Sequence, residues 1–500
     1  MSGPVSSVAV VGRDAPLWLA VIALKRALGR TDFRIHAVEL RSRLTAVDAY
    51  AAMPTLGSMH RLLGIDERLV LQACNAVPVA AQRFSNWSRS APPVLLAYDD
   101  EPRPGELSFV QFWTKGVCNG LRVGIEEFSL GAACARLNAV PVPVDDDNGL
   151  AASYGYHLDA SAYAALLKQL ALRLGVEAHA FGIADIEVAG PRIEAIKLGD
   201  GASLEADLYI DASGREAALL SLLAGAEFES WREWLPCDRM LAASGPRLVQ
   251  LPSLSQISAF RGGWIGQFPL QDRTAVTTVY NSAAVTEGEV VEMAGVIAGS
   301  PISGDAVLSV LDPGMQRLPW IGNCVAIGGA AVAVDPVDAL DLHVTHACIS
   351  HLMTSFPACA DEFPEADAYN AAIRCFGNNA RDFQAAHYIL NRRFDETLWD
   401  AVRDAAPPPS LKRKFDLFSA RAVVPMNEEE PFHEQHWATL LLGCGIVPEG
   451  YDPRVDAVPD ETLMRRVQQR LRDVAALARQ MPTVEQFLAL EQPLPAVSGA

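Results

Sequence analysis

Residues 7–40, SVAVVGRDAPLWLAVIALKRALGRTDFRIHAVEL, read as a strand, a turn, a helix and a second strand. Ser7–Gly12 is a β-branched run that ends in glycine. Leu17–Leu28 carries apolar residues at helical spacing, and Phe33–Leu40 is again strand-like, with Glu39 near its end. A β-turn-α-β opening within about 35 residues is the layout of a dinucleotide-binding unit. There a helix N-terminus receives a pyrophosphate and an acid after the second strand takes a ribose hydroxyl. The glycine fingerprint G-x-G-x-x-G is reduced to Gly12-Arg13-Asp14-Ala15-Pro16-Leu17, with only its first glycine kept.

Outward from this unit, Ala160–Leu174 is an amphipathic helix and Glu205–Ser213 a buried strand running into a Ser-Gly turn. Residues 240–310 are strand-rich, with QISAF, WIGQF and AVTTVY between turn residues, as expected of a sheet over a ligand cavity. Cys324–Ile327 is another buried strand, followed by Gly328-Gly329. From Asp341 the pattern turns helical, Ala406–Ser410 (APPPS) is a linker or sharp turn, and Thr462–Arg479 is an amphipathic helix.

The bulk numbers narrow the function. In 500 residues, 41 Lys and Arg stand against 60 Asp and Glu, a net charge of −19, and half the residues are hydrophobic. Such a chain has apolar surface enough to fold, and no basic stripe for nucleic acid. Asp145–Asp147 and Glu428–Glu430 read as solvated loops. Nine cysteines without a CxxC pair argue for a reducing compartment, the cytoplasm. Neither a signal peptide nor a membrane span is expected.

Further stretches carry a family resemblance: LGIDERLVLQACNA (63–76), RFSNW (83–87), YGYHLDA (154–160), LEADLYIDASG (204–214), LPCDRMLA (235–242), GWIGQFPL (263–270), WIGNCVAIGGAA (320–331), RDFQAAHYILNRR (381–393) and LLLGCGIVPEGYDP (440–453). In this order they resemble the flavin-dependent tryptophan halogenases over nearly the whole chain. The resemblance implies an α/β fold: an FAD-monooxygenase-like Rossmann-type core over residues 1–345, including an antiparallel substrate sheet at about 220–312, and a helical C-terminal region over 346–500. It also implies an FAD cofactor, an indole-like substrate, a flavin reductase or an intact family member as partner, and a homodimer. Flavin contacts would fall on Gly12, Ala15, Trp18, Glu39, Ala184, Asp211, Gly328, Gly329 and Leu342.

The family's functional loops are altered in this chain. Its GGGTAGW corresponds to Gly12–Trp18, and its GVGEAT to Val47–Ala52, where the glycines are gone. The essential lysine, eight residues before the tryptophan of the NW pair, falls on Val79. WxWxIP becomes Trp264–Pro269, with Gly266 at the second tryptophan. The ESTG segment becomes Asp338-Ala339-Leu340-Asp341, so Asp338 stands for the glutamate and Asp341 brings a carboxylate to the chloride amides. The expectation is a halogenase-family protein that has lost halogenation and binds FAD weakly or not at all. The alternatives are an FAD-dependent halogenase or monooxygenase with a rebuilt site and Asp338 as acid/base, or a small-molecule binder using the indole cavity.

Other residues receive plain readings. His343, His346 and His351 share a predicted helix without a matching cysteine, so no metal site is expected. Lys115 in QFWTKG reads as a surface lysine beside an aromatic strand, Trp113, Trp264, Trp399 and Trp437 as core, and Cys74 as a buried small hydrophobe.

Overall fold

The computed structural model describes residues 3–29, 33–99, 107–143, 150–180, 182–299, 302 and 306–491. The acidic run Asp145–Asp147 lies outside the described residues. The opening unit forms as its pattern predicts: β1 (Ser7–Gly12), α1 (Asp14–Leu28) and β2 (Arg34–Glu39). Every residue of β1 is buried, as a strand covered on both faces requires.

β1 lies inside a six-stranded sheet ordered Trp320–Ile321, Cys324–Ala326, Leu208–Ala212, β1, β2, Glu177–His179. All its pairings are parallel except that of Trp320–Ile321 with Cys324–Ala326. α1 packs with the helix Ala160–Arg173, whose N-terminus is capped by the Asp159 carboxylate on the Ala162 amide at 2.8 Å.

A seven-stranded sheet supplies the second layer. Its order is Val307–Val310, Arg239–Pro246, Arg273–Tyr280, Gly263–Pro269, Leu254–Phe260, Ala81–Ser85, Val94–Ala97. The segments QISAF, WIGQF and AVTTVY are adjacent strands of it. The N-terminal half of the chain contributes its last two strands, and Ala81–Ser85 joins in parallel to Leu254–Phe260. A smaller sheet of β3 (Ala49–Ala52), Gly155–Asp159 and Val77–Val79 bridges the two layers. Its central His157 is fully buried, with Nδ1 3.1 Å from the Pro269 carbonyl and Nε2 2.8 Å from Ser255 Oγ on the seven-stranded sheet. Two further three-stranded sheets, one built on Ile183–Ala189 and Arg192–Leu198 and one on Phe228–Ser230 and Gly314–Gln316, flank these, and the C-terminal part is helical, dominated by Glu365–Ile389, which is buried almost throughout its C-terminal half. No helix among the described residues is long and apolar enough to cross a membrane.

Two sequence expectations are corrected here. QFWTKG lies on a helix, Phe109–Cys118, and Lys115 is buried. Its ammonium donates to the Val458 carbonyl at 2.8 Å and sits 3.2 Å from both Asp456 and Asp460, so it ties the start of the helix Asp460–Ala478 to its own helix. Glu428–Glu430 is not simply solvated. The Glu430 side chain is nearly fully buried in an ion pair with Lys414, whose ammonium lies 4.9 Å over the Trp437 ring. In both cases a charge looks exposed in sequence until the opposite charge it meets in the folded chain is known.

Two consequences are testable. A Cβ on Gly12 would lie 2.4 Å from the Ala212 carbonyl oxygen and 2.6 Å from its Cβ, both on the neighbouring strand. Gly12→Ala should therefore cost roughly 1–3 kcal/mol in urea unfolding. Burial pulls the His157 imidazole down to about 4, below its ordinary 6.5. Below pH 6.5 the unfolded chain takes up a proton that the folded chain refuses, so stability should fall between pH 6.5 and about 4. The loss should be roughly 3 kcal/mol at ~1.4 kcal/mol per pH unit. A flatter melting-temperature profile for His157→Gln would identify this residue as the source.

Candidate functional site

In a parallel sheet, ligands bind beyond the carboxyl ends of the strands, where the strand order reverses. Here that point lies between β1 and Leu208–Ala212. A crevice of about 260 Å³ opens there, lined by Arg13, Asp14, Tyr50, Gly214, Gly329 and Asp341 among others. Ala212, the registered partner of Gly12, lines it.

Asp14, where the fingerprint has its second glycine, has φ +57°. That left-handed conformation is free for glycine and is tolerated by few other residues, aspartate among them. The backbone thus keeps the glycine's shape and adds a carboxylate. The carboxylate sits in the first turn of α1, whose N-cap residue Arg13 gives no side-chain cap, so it meets the positive end of the helix dipole. It accepts a hydrogen bond from Ser42 Oγ at 2.5 Å, and burial holds its pKa above the usual range. Tyr50 of β3 occupies the second flavin-loop position. Its phenol is pushed up by burial and by the neighbouring Asp14 and Asp341, while the Ala15 amide at the head of α1 acts the other way. The cations at the crevice are engaged: Glu216 pairs with Arg13 and lies 2.9 Å from Arg43, and Arg215 pairs with Asp312.

The remaining flavin-contact candidates divide. Gly329 and Leu342 line the crevice. Gly328, at φ +56°, is confined by Thr345, whose Oγ1 would meet an added Cβ at 2.7 Å. Trp18 and Ala15 are buried on α1. Glu39 accepts from Lys168 Nζ at 2.5 Å, and that ammonium also stands 5.6 Å over Trp18. Asp211 is fully buried and accepts from the backbone amides of Ser213, Leu219 and Leu220 at 2.8–3.0 Å, so it organises the turn after its strand. Ala184 is exposed on the strand Ile183–Ala189 of a separate three-stranded sheet, outside the crevice lining.

A second cluster lies in the interior. The turn Asp335–Asp338 faces the long helix Glu365–Ile389, which presents Gln384, His387 and Tyr388 at i, i+3 and i+4 on one face. Gln384 braces the Asp335 backbone, accepting from its amide at 3.1 Å and donating to its carbonyl at 2.6 Å. Trp264 Nε1 donates to the Tyr388 hydroxyl at 3.1 Å, and that hydroxyl donates to Asp335 Oδ2 at 2.8 Å. Burial pushes the Asp335 carboxyl up to about 7. Asp338 is also fully buried. Its Oδ1 lies 2.9 Å from His387 Nε2, and its Oδ2 has no partner. His387 stacks on Phe84 at 4.5 Å, and Trp87, Phe383, Trp399 and Trp437 complete an aromatic wall.

Val79, at the lysine position, is a buried strand residue paired with Gly155. The next residue, Ala80, accepts from the Tyr98 amide at 3.0 Å. The Tyr98 phenol is raised first by burial and then by Asp338.

The sequence reading missed His387, Tyr388, Gln384 and Asp335 as a unit. The signal was present in Q-A-A-H-Y (384–388), whose Gln, His and Tyr share a helical face, but the partner turn lies 49 residues upstream. Of the four tryptophans, Trp264, Trp399 and Trp437 pack around this helix, whereas Trp113 lies on Phe109–Cys118 and donates to Val123. Cys74 is buried, and burial pushes its thiol up to about 12. His343 bonds Thr55 and meets the His346 ring edge-on at 6.2 Å, whereas His351 pairs with Glu429.

The fold has close counterparts among known proteins. The chain is 27% identical to a flavin-dependent halogenase from Xanthomonas campestris, with a TM-score of 0.91 over 99% of this chain and 100% of that one. Against a flavin-dependent halogenase from Brevundimonas sp. BAL3 the values are 26%, 0.91, 98% and 99%. Among curated proteins it is 26% identical to a tryptophan 7-halogenase of Kutzneria sp. (strain 744), over 97% of this chain and 98% of the relative. A tryptophan 7-halogenase of Lentzea aerocolonigenes is 24% identical over 98% and 99%. Residues 7–460 match the tryptophan halogenase family model, and the chain belongs to that family.

Proposed function

We propose that this chain keeps the halogenase scaffold without halogenation, binds FAD weakly or not at all, and acts as a binding or partner subunit. The observation that carries this reading is the head of α1. Where a dinucleotide's pyrophosphate would approach uncovered amides, the chain brings its own carboxylate, Asp14, with the Tyr50 ring and the Asp341 carboxylate on the same crevice. Like charges at this range repel a diphosphate, and the tyrosine takes space that a glycine loop would leave open. A crevice of about 260 Å³ is also below the roughly 300–1,000 Å³ usual for small-molecule sites. The residues present do not fit FAD.

The halide chemistry lacks its parts as well. Val79 offers no amine, and its site is packed core. The peptide that would hold chloride leads into Asp341, an acid.

One observation favours the runner-up reading, an FAD-dependent halogenase or monooxygenase acting on an indole-like aromatic. Asp338 is buried beside His387 with one oxygen unpartnered, inside an aromatic wall. Such a carboxylate could exchange a proton with a substrate. That form would need reduced flavin from a separate reductase.

FAD titration separates the two. Fluorescence quenching and melting temperature of the purified protein should show no saturable binding at about 100 µM FAD, an affinity weaker than roughly −5.5 kcal/mol. A low-micromolar dissociation constant would overturn the proposal in favour of the enzyme. A converse test is the double variant Asp14→Gly, Tyr50→Gly, which removes the carboxylate and the ring together. It should bind FAD at least about tenfold more tightly than the parent chain, a gain of ~1.4 kcal/mol. Equal affinity would show that the barrier lies elsewhere.

A further inference from the structure

Away from both clusters, β2 runs parallel to the edge strand Glu177–His179, with His36 opposite Glu177 and Val38 opposite His179. Registered partners point to the same face of a sheet, as do residues two apart on a strand. His36, Glu177 and His179 therefore project together. His36 Nδ1 lies 3.3 Å from His179 Nε2 and 3.4 Å from Glu177 Oε2, and His179 Nε2 lies 3.7 Å from Glu177 Oε1. These three residues are a group of metal-ligand type whose donor atoms all lie close to one another.

A single His–His hydrogen bond is the plain explanation, and it accounts for only one of the three distances. It does not require a carboxylate close to both nitrogens at once. A tetrahedral ion bound at about 2.0–2.1 Å holds its ligands roughly 3.3–3.4 Å apart, and the observed separations sit at or just above that value. The two imidazoles are largely shielded, with 11% and 18% of their side chains exposed, while Glu177 is 66% exposed. The nitrogen donors thus come from the protein side and the carboxylate closes from the solvent side.

We propose that His36, Glu177 and His179 form a binding site for a divalent transition-metal ion of the zinc class, with the fourth position left to water. Two imidazoles and one carboxylate suit zinc and its neighbours, whereas calcium and magnesium prefer all-oxygen sets. The ion would clamp a three-residue edge strand onto the main sheet and blunt an open sheet edge. The site lies three residues before Glu39, about 10 Å back along β2, and is separate from the crevice. It departs from the sequence expectation of no metal, because 141 residues separate its two arms.

The test uses the full chain, freed of metal by a chelator and titrated with Co²⁺ and then Zn²⁺. One Co²⁺ per chain should bind with the intense visible absorption of four-coordinate cobalt, and one equivalent of Zn²⁺ should displace it and raise the melting temperature. Glu177→Gln and His179→Gln, both at an edge strand, should each weaken binding at least about 100-fold, since loss of even an outer-sphere partner costs ~10–100-fold. These two variants carry the test if His36→Gln fails to fold. No cobalt signal at about 100 µM metal would overturn the proposal. So would unchanged affinity in both variants, or a thiolate-to-cobalt band placing the ion on a cysteine.

Discussion

The close approach of β1 to Leu208–Ala212 governs much of this molecule. The two strands run parallel from Val8↔Leu208 to Gly12↔Ala212, and at the last pair there is no room for a side chain on Gly12. Parallel strands this close must be joined through crossovers, which puts helices and further sheets over both faces. The same contact sets the floor of the crevice and aims the N-terminus of α1 into it. The glycine that remains from the fingerprint is the one whose absence the sheet itself would not tolerate.

The other fingerprint positions answer to the ligand rather than to the sheet, and these are the ones that have changed. Asp14 holds a glycine-like conformation while carrying a charge. The backbone there is left-handed, the conformation that glycine adopts freely. The first-turn carboxylate gains from the helix dipole and from Ser42, while burial opposes its charge, and it raises the barrier to a diphosphate. Fold and cofactor affinity are in this way uncoupled at one residue.

The interior cluster follows a different physical rule. Buried polar groups must be partnered, and Asp335 is: Tyr388, Val337 and Gln384 enclose it. Asp338, three residues on, has a partner for one oxygen only. Two buried carboxyls in a single turn therefore have different freedom. One is part of the brace between the turn and the long helix, and the other is left facing the aromatic wall.

The opening β-α-β unit, the strands LYIDA and CVA, the strands QISAF, WIGQF and AVTTVY and the C-terminal helices are legible along the chain alone, because apolar periodicity and turn residues are local signals. The sequence also located the altered loops, since motif spacing survives in one dimension. What the tertiary structure decided was every property that depends on a partner far along the chain. Lys115 is buried beneath the exposed Asp456 and Asp460, and Glu430 is buried against Lys414. The sheet gained Ala81–Ser85 and Val94–Ala97 from another part of the chain. Asp338 met His387 across 49 residues, and His36 met His179 across 143. Burial and charge pairing are set by what the folded chain brings together, and no local pattern encodes that.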